Sequence, residues 1–433
     1  PLKANGQPKF NHHNFDAMWG AQWTINTLWH LVYPEVTESF INSMLMMYDD
    51  GGLIPRGPAG GNYTYVMTGA SSTPFIVSAY QKGIRGFDIQ KAYEGMRKNH
   101  FPGGMMSKAG YEHKTFKGGG IEYYMERGYV PHPISPIRYG FHMDGSAQTL
   151  EYAYQDFSLA QMSKALGKTD DYQLLMKRSQ NFKNIWNPEL GWMWIKNLDG
   201  NWEKSVDILR YDHGWEEGNS AQWTWFVPHD LKGLASLMGG NDKAVAKLNE
   251  SFEKASAHDF VSGKSHDKET QEENRRVYLN FGNQPSIQTS YIFNQIGAPW
   301  LTQKWTRKVI EKVYSGLSPN YGYSGDEDQG LMGSLAVLMK IGIFSMDGGV
   351  AQTPYYDLSS PIFDKIEIKL NPDFYPGKII SIETKNNSQD NVYIQQASFN
   401  GKPIKSWISH PDLIKGGKIT YVLGAKPNKS FGQ

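Results

Sequence analysis

The spacing of apolar residues changes once along this chain of 433 residues, near residue 350. Between residues 14 and 345 apolar side chains recur mostly every three or four positions, as in 148–166, which is typical of helices packed on one face. Beyond residue 350 the pattern alternates, as in 365–370, which is typical of strands. We therefore expect a mainly α domain over residues 1–350 and a β segment over residues 351–433.

The helical region divides into helix pairs separated by long loops. Helices are predicted over 148–166, 170–182, 226–238, 243–257, 300–313 and 330–343. Loops rich in Gly, Pro and aromatic residues are predicted over 50–65, 113–141, 192–220, 281–286 and 317–329. Such pairs indicate an α/α toroid whose loops form a site at one end, because loops carried by a rigid scaffold often hold functional residues.

The final segment has the pattern of a small antiparallel β unit of about 80 residues. Strands are predicted over 365–370, 378–384, 392–399 and 418–423, and Asn400-Gly401 is a hairpin signal. The unit is small for an independent sandwich. We expect it to belong to a β-sandwich completed by sequence that precedes this chain.

Composition narrows the classes of function. The 44 basic and 43 acidic residues leave a net charge of +1, which argues against a nucleic-acid or membrane-surface protein. No apolar run reaches the roughly 18 residues that cross a bilayer. Cysteine is absent, which excludes disulfides and fits a bacterial periplasmic or extracellular protein. Because the chain starts Pro1-Leu2-Lys3, we expect a processed or truncated piece of a longer protein.

A first acidic cluster, Glu216-Glu217, lies beside a Gly-Asn turn among tryptophans. Apolar neighbours such as Trp215 and Trp223 can desolvate a carboxyl group and raise its pKa, which keeps a proton available for catalysis. Aromatic faces also stack on sugars. Candidate substrate-binding residues are Trp19, Trp215, Glu216, Asn219 and Trp223. The alternative is that the two glutamates are surface acids that cap a helix starting near Ser220.

A second acidic cluster, Asp326-Glu327-Asp328, lies in a turn between glycines. Its carboxylates could hold a nucleophilic water, bind a hard cation, or do both. Asn283 and Gln284 add amide oxygens, so Asn283, Gln284 and Asp326 are candidate Ca²⁺ ligands. The alternatives are a solvated acidic loop that caps the next helix, and an ordinary proline turn at 282–286.

Two separated acidic clusters, each near aromatic residues, are what acid/base cleavage of a glycosidic bond requires, since one carboxyl group donates a proton and another activates water. Other chemistries lack their sequence patterns. No zinc-binding His-Glu-x-x-His, no phosphate-binding Walker pattern and no Gly-x-Ser-x-Gly elbow is present.

Ordered motifs run through the chain. They are Lys-Gly-Ile at 82–84, Gly-Phe-Asp at 86–88, Thr-Leu-Glu-Tyr-Ala-Tyr at 149–154, Glu-Gly-Asn at 217–219, Val-Pro-His-Asp at 227–230, Asn-x-Pro-Ser at 283–286, Gly-Ala-Pro-Trp at 297–300 and Gly-x-Glu-Asp-x-Gly at 325–330. The tail adds Ser-Pro-Ile-Phe at 360–363, Asn-Asn-Ser at 386–388, Tyr-Ile-Gln at 393–395 and Gly-x-x-Pro-Asn at 424–428. With these motifs the chain resembles glycoside hydrolase family 92, the calcium-dependent exo-α-mannosidases, over nearly its whole length.

The resemblance implies an (α/α)6 barrel that works with a β-sandwich, and an inverting mechanism that removes a terminal α-linked mannose from a glycan. It implies that Glu217 is the general acid, that Asp326 and Asp328 position and deprotonate water, and that Ca²⁺ helps to bind and distort the terminal sugar. The acid and base would then lie about 6.5–9.5 Å apart. The family's N-terminal β-sandwich is absent from the sequence and is a possible partner fragment.

The chain departs from the family pattern at several positions. Gly20 and Ala70 stand where acids are usual, Gln284 replaces a commonly acidic residue, and Ile287 stands where histidine is common. Two alternatives therefore remain beside the mannosidase: a carbohydrate-binding relative that has lost turnover, and a hydrolase of the same fold with a different terminal sugar. The retention of all three acids favours catalysis, because a binding protein needs no general acid opposite a general base.

Overall fold

The computed structural model describes residues 2–15, 18–59, 62–108, 118–133, 144–318, 322–325 and 327–432. Asp326 and much of the predicted loop 113–141 therefore lie outside the described residues. Within the described ranges, the helices in chain order are α1 Ile25–Val32, α2 Pro34–Gly51, α3 Ser72–Gln81, α4 Ile89–Asn99, α5 Ile121–Arg127, α6 Gly145–Ala165, α7 Thr169–Arg178, α8 Ser220–Trp223, α9 Leu231–Leu237, α10 Asn241–Ser256, α11 His266–Glu269, α12 Thr289–Gln295, α13 Pro299–Val313, α14 Leu331–Ile341 and α15 His410–Leu413.

The helices pack as successive pairs that close on themselves. Pairs form between α1 and α2, α3 and α4, α6 and α7, α9 and α10, and α12 and α13. Helix α1 also contacts α3 and α14, so the beginning and the end of the helical region lie side by side. This arrangement confirms the predicted α/α toroid. In the described ranges, no helix combines the length and apolar character needed to cross a membrane.

Most predicted helices are confirmed, as α6, α10, α13 and α14, with ends shifted by at most three residues. Two predicted helices are longer than the observed ones. The helix predicted over 226–238 begins at Leu231, because the side chain of Asp230 accepts the backbone N–H of Gly233 and caps it there. The helix predicted over 170–182 ends at Arg178 and a 3-10 turn follows at Asn181–Ile185.

Helix α6 brings polar side chains into the centre of the toroid. Nearly all of its residues are buried. Asp156 accepts the Nε–H of Arg178 at 2.7 Å and pairs with His100 Nδ1 at 2.8 Å. One turn earlier, Glu151 accepts an N–H of Gln155 at 2.6 Å. Burial raises the pKa of Glu151 from its ordinary value of 4.5 to about 8. The centre of this helix therefore carries buried carboxyl groups that are held by hydrogen bonds and ion pairs.

The strands form a β unit after the toroid and one short ladder within it. The strands in chain order are β1 Trp186–Asn187, β2 Trp192–Met193, β3 Ile343–Phe344, β4 Tyr355–Leu358, β5 Lys365–Lys369, β6 Ile379–Lys385, β7 Tyr393–Phe399, β8 Lys402–Pro403, β9 Trp407–Ser409 and β10 Gly417–Gly424. In the described residues, β1 pairs with β2, one sheet has the order β3-β4-β9, and a larger sheet has the order β5-β6-β10-β7-β8. Both larger sheets contribute side chains to one apolar cluster, which contains Tyr356, Ile380 and Ile408.

The prediction of a wholly antiparallel unit is wrong for one pair of strands. Strand β10 runs parallel to β6, with Gly417 opposite Ile380, whereas β5–β6, β7–β10 and β7–β8 are antiparallel. Alternation reports which face of a strand is buried but not the direction of its neighbour. The three intervening strands form the crossover that a parallel neighbour requires.

Arg307 of α13 is one of several side chains that join the toroid to the β unit. Arg307 donates to the carbonyl oxygen of Pro361 at 2.9 Å, to Asn387 Oδ1 at 2.8 Å and to the carbonyl oxygen of Ser388 at 2.7 Å. Its acceptors belong to the two sequence motifs at 360–363 and 386–388. These motifs therefore have a structural reason, since both present oxygen atoms to one guanidinium group.

Candidate active site

The glutamate pair lies on the turn that leads into α8. Asn219, immediately before the helix, accepts the backbone N–H of Gln222 through Oδ1 at 3.1 Å and donates through Nδ2 to the carbonyl oxygen of Val277 at 3.0 Å. Asn219 therefore caps α8, and the alternative that Glu216 and Glu217 cap it is wrong. The glutamates are left for another role.

Glu217 occupies a strained position at the edge of the site. Its φ of 41° lies in the left-handed region, which costs energy for a residue with a side chain and is frequent at functional sites. The half-buried side chain accepts a hydrogen bond from Nδ2 of Asn283 at 3.1 Å. Asp212, with a φ of 53°, donates its backbone N–H to the carbonyl oxygen of Gly218. These contacts fix the turn that presents Glu217.

Glu216 is the more buried of the two glutamates, with 3% of its surface exposed. Burial raises its pKa well above the ordinary value of a glutamate, and the charges of Glu217 and Asp212 raise it further. The indole N–H of Trp223 donates to the backbone oxygen of Glu216 at 2.8 Å. Glu216 is therefore the desolvated carboxyl group of the pair, and the part that the tryptophans play in its desolvation stays a prediction.

The two described acids of the second cluster, Glu327 and Asp328, make different hydrogen bonds. Oε1 of Glu327 accepts the backbone N–H of Gly333 at 3.1 Å and caps α14. Asp328 instead accepts the indole N–H of Trp19 at 3.1 Å and an amide N–H of Gln284 at 2.8 Å, both on Oδ2. Its φ of 43° is again left-handed. The capping alternative is therefore correct for Glu327 and wrong for Asp328, while Asp326 lies outside the described residues.

The short turn at 282–286 joins the two acidic clusters. Asn283 caps a 3-10 helix, Gln284–Ser286, and directs its NH₂ group at Glu217, while the next residue directs its NH₂ group at Asp328. The loop that carries Asp328 packs directly on this turn. A Cβ atom added to Gly325, whose φ is +94°, would lie 1.8 Å from the carbonyl oxygen of Gly282. Two loops that are distant in sequence are thus joined through one turn.

A cavity of about 290 Å³ opens beside this turn. Its described lining residues are Tyr211, Asp212, Glu216, Glu217, Ser262, Glu269, Arg275, Asn280, Gly282 and Asn283. Both glutamates of the first cluster and the Asn283 amide therefore lie on its wall. A site of this kind can place one carboxyl group that carries a proton near others that do not.

Several wall residues were not predicted from the sequence. The guanidinium of Arg275 lies 4.4 Å from the ring centre of Tyr211, and its Nε–H donates to the carbonyl oxygen of Glu269. Asn280 accepts the N–H of Gly282 and donates to Ser262. The polar stretch 262–276 carries no local pattern that links it to Glu217. Only Tyr211 and Asp212, which directly precede the glutamate turn, could have been suspected from position.

The predicted substrate-binding tryptophans lie beneath the wall. Trp19, Trp215 and Trp223 are at most 1% exposed, and Trp223 stacks on Phe226 at 4.9 Å. A ring in this position presents no face to a sugar in the cavity. Asn219 is also fully buried and uses both ends of its amide within the protein. The structure gives these four residues a supporting position, whereas Glu216 lies on the cavity wall.

The predicted calcium ligands can be tested against their hydrogen bonds. Ca²⁺ takes six to eight oxygen ligands. Oδ1 of Asn283 already accepts the N–H of Gln284, and the NH₂ groups of both residues face carboxylates. Among the described residues, Gln284 Oε1 is buried without a hydrogen-bond partner, and no group of three His, Cys, Asp or Glu side chains could hold a metal. Gln284 Oε1 is therefore the atom of this pair that is open to a cation, and Ca²⁺ binding by Asn283, Gln284 and Asp326 stays a prediction.

Comparison with known proteins identifies the family. The model of the glycosyl hydrolase family 92 catalytic domain matches residues 3–425. A curated protein of Arthroderma benhamiae, named as an uncharacterized secreted glycosidase, is 26% identical over 436 residues, which cover 94% of this chain and 51% of that protein. The chain thus spans about half the length of the curated relative that it matches.

Two solved structures from Bacteroides thetaiotaomicron have the same fold. One is a family 92 inverting mannosidase that is 29% identical to this chain, with a TM-score of 0.81. The match covers 100% of this chain and 57% of the mannosidase chain. The other is a family 92 α-mannosidase in complex with mannoimidazole, which is 26% identical to this chain, with a TM-score of 0.84. The match covers 99% of this chain and 53% of the α-mannosidase chain. Since the family model covers nearly the whole sequence and the fold agrees, the chain belongs to glycosyl hydrolase family 92.

Proposed function

We propose that this chain is the catalytic domain of an inverting, exo-acting glycoside hydrolase that removes a terminal α-linked mannose from a glycan. One observation carries the proposal: Glu217 and Asp328, from separate loops, are held by the adjacent amides of Asn283 and Gln284. Inverting glycosidases need two carboxyl groups that flank the scissile bond. Glu217 lines the cavity, and the shared turn links it to Asp328, which is not among the described residues of the cavity wall. Mannose as the sugar is supported by the two structural relatives, which are named as mannosidases.

The proposed reaction uses Glu217 as the general acid. Its carboxyl group donates a proton to the glycosidic oxygen as the bond between that oxygen and the anomeric carbon breaks. A water attacks the anomeric carbon from the opposite face and gives its proton to Asp328, with Asp326 as the second predicted acid. The sugar leaves with inverted configuration, and proton exchange with solvent restores both carboxyl groups.

Glu216 contributes to the same site through its charge state. Burial raises the pKa of Glu216 well above the ordinary value of a glutamate, which favours the neutral form of its side chain. The neutral form adds no negative charge beside Glu217. We therefore assign Glu216 to binding of sugar hydroxyls at the cavity wall rather than to proton transfer.

The size of the cavity supports exo action. Its volume of about 290 Å³ lies at the lower end of ligand sites, which span about 300–1,000 Å³. A site of this size suits one terminal sugar better than the interior of a long glycan. We also propose a periplasmic or extracellular location, which is supported by the curated relative named as secreted.

The experiment that tests this function measures hydrolysis of α-mannosides by the purified protein, with and without a calcium chelator. Nuclear magnetic resonance of the first-formed product reports the anomeric configuration, and we expect β-mannose. The variant Glu217→Gln should lose about 100- to 10,000-fold in kcat, since it cannot donate a proton. Glu253→Gln, on an exposed face of α10, is the matched control.

Two results would contradict the proposal: wild-type protein that releases no sugar from any α-glycoside, or activity that survives Glu217→Gln. An α-configured first product would contradict inversion alone. Loss of activity on chelation, with recovery on adding Ca²⁺, would support the prediction that Asn283, Gln284 and Asp326 hold a calcium ion.

A binding protein without turnover is the second candidate, and one observation favours it. Positions 20 and 70 lack the acidic side chains expected there, and the space beside Gly20 is filled by Gln284. The backbone N–H of Ala70 donates to Gln155 within the protein. Binding on a glycan array without hydrolysis would support this candidate, and turnover that depends on Glu217 would exclude it.

A further inference from the structure

Two hydrogen-bond donors converge on one oxygen of Asp328. The indole N–H of Trp19 lies 3.1 Å from Oδ2, and Nε2 of Gln284 lies 2.8 Å from the same atom. Trp19 and Gln284 are each 1% exposed, whereas Asp328 is half-buried. Two buried donors therefore hold one edge of a carboxylate that water can reach, which fixes the direction of its other edge.

The position of Gln284 is itself fixed by close packing. A Cβ atom added to Gly20 would lie 2.7 Å from Cγ and 3.0 Å from Cβ of Gln284. The φ of Gly20 is +81°, a conformation that residues with side chains rarely adopt. The glycine after Trp19 therefore leaves the space that the Gln284 side chain occupies. One short segment, 19–20, both supplies a donor and makes room for the other.

We propose that Trp19 and Gln284 are positioning residues that orient Asp328 for deprotonation of the attacking water. The inference rests on the proposed function, because it assigns Asp328 as a base. It gives both residues a different role from the sequence prediction, in which Trp19 binds substrate and Gln284 binds a cation. The burial of the indole excludes stacking on a sugar in the cavity, and the Gln284 amide presents N–H rather than oxygen to the acid.

The test uses substitutions that remove one donor and keep the shape. Trp19→Phe keeps an aromatic ring without the N–H, and Gln284→Met keeps chain length without the amide. Each should lower kcat about 10- to 100-fold with little change in KM, since a hydrogen bond to a charged group is lost. The acidic limb of the pH–rate profile should move to higher pH, because the ionised carboxylate loses a donor.

Gln284→Glu separates positioning from metal binding. A second carboxylate against Oδ2 repels Asp328, so a positioning role predicts lower kcat and a larger shift of the acidic limb. A role as cation ligand predicts the reverse, namely retained or improved activity with tighter Ca²⁺ dependence, since carboxylates are stronger ligands than amides. The double variant Trp19→Phe/Gln284→Met should lose less than the product of the single losses, because both donors serve one atom.

Matched controls lie elsewhere in the fold. Gln295 donates through Nε2 to Asp357 at 2.6 Å, and Trp305 donates through Nε1 to Asn249 at 2.9 Å, both away from the lining of the cavity. Gln295→Met and Trp305→Phe should leave the pH–rate profile unchanged even if they lower the melting temperature. Thermal unfolding of every variant shows whether it has folded.

The outcomes distinguish a failure of the proposed glycosidase function from a failure of the proposed positioning role. If wild-type protein shows no glycosidase activity, the proposed function fails. If wild type is active and the site variants match the Gln295 and Trp305 controls in kcat and pH profile, the positioning role is overturned. A rise in KM alone would also overturn it, because that result indicates contact with substrate.

Discussion

Burial shifts the pKa values of individual carboxyl groups in and beneath the candidate active site. Glu216 and Glu151 are both buried carboxyl groups whose pKa values are raised mainly by burial, and the charge of Glu216 raises the pKa of Glu151 further. Arg56, which is fully buried, opposes this effect, and burial lowers its own pKa to about 10. These three buried groups thus form an electrostatic network beneath the candidate active site, in which burial favours the neutral form of each carboxyl group and the charge of Arg56 opposes it.

This network predicts a specific pH dependence of stability. Glu151 has a pKa of about 8 in the folded protein and an ordinary value of 4.5, so between these values the folded state binds one more proton than the unfolded chain. The free energy of unfolding should therefore fall as pH rises, by up to about 1.4 kcal/mol per pH unit from this group. Glu151→Gln removes this contribution.

The measurement is denaturant unfolding at pH 5 and pH 8. The loss of stability between these pH values should be smaller in Glu151→Gln than in wild type by about 2–4 kcal/mol. Exposed Glu126 serves as the control, and Glu126→Gln should keep the wild-type difference. Equal pH dependence in Glu151→Gln and wild type would show that Glu151 is ionised in the folded state.

At this scale the sequence predicted the chemistry better than the contacts. The two acidic clusters are recognisable locally because their carboxyl groups lie near glycine turns, but the choice of Glu217 and Asp328 within them rests on the resemblance to the family and stays a prediction. The roles of Trp19 and Gln284 were not recognisable locally, since the hydrogen bond between Trp19 and Asp328 spans 309 positions. Arg275 was missed for the same reason, because its contact with Tyr211 depends on how two distant loops fold together.

Elements of the site are short turns set by glycine and asparagine rather than long helices. Asn219 caps α8, and Asn283 caps the 3-10 helix Gln284–Ser286. Long helices such as α10 and α13 were predictable because burial on one side imposes a period on the sequence. The start of α9 was not predictable from this period, because it is set by a single cap at Asp230. The parallel direction of β10 was not predictable either, because alternating apolar residues do not report the direction of the neighbouring strand.

The contact between two of these turns predicts the effect of one methyl group. Gly325→Ala places a Cβ atom against the Gly282 carbonyl at a φ of +94°, so the loop that carries Asp328 has to move. We expect kcat/KM to fall at least about tenfold, while stability falls by about 1–2 kcal/mol. Steady-state kinetics and thermal unfolding measure the two effects separately.

The same loop supplies the control. Gly322 has no positive φ, and an added Cβ atom would lie 3.6 Å from the nearest atom, the carbonyl oxygen of Ser318. Gly322→Ala should therefore retain activity. If Gly322→Ala loses as much activity as Gly325→Ala, the loop is sensitive to any substitution. That result would contradict a specific role of the contact between Gly282 and Gly325 in positioning Asp328.

The whole molecule depends on the junction between toroid and β unit. Arg307 makes three hydrogen bonds across it, and burial lowers the pKa of its guanidinium. The change of period near residue 350 predicted that two kinds of structure follow one another. It could not predict this junction, because an arginine on a helix is normally solvated and its acceptors are backbone and amide oxygens of a distant loop.

Removal of this arginine should weaken the fold without touching the chemistry. Arg307→Ala should lower the free energy of unfolding by about 2–3 kcal/mol, since charged hydrogen bonds across the junction are lost. Arg307→Lys should restore only part of it, because an ammonium group lacks the planar fork. Lys308→Ala, one residue away and exposed, should change stability by at most about 0.5 kcal/mol. Denaturant unfolding that ranks Arg307→Ala with Lys308→Ala would contradict this role.

The adjacency of Asn283 and Gln284 has a consequence for how such an enzyme can change over time. One peptide unit separates the side chain that holds Glu217, the proposed acid, from the side chain that holds Asp328, the proposed base. The gap between acid and base decides whether a glycosidase inverts or retains configuration. Loops around the cavity can lengthen and take new sugars without altering this gap, but inserting even one residue between 283 and 284 would alter it. Substrate range can therefore diverge freely in this scaffold while stereochemistry stays the same.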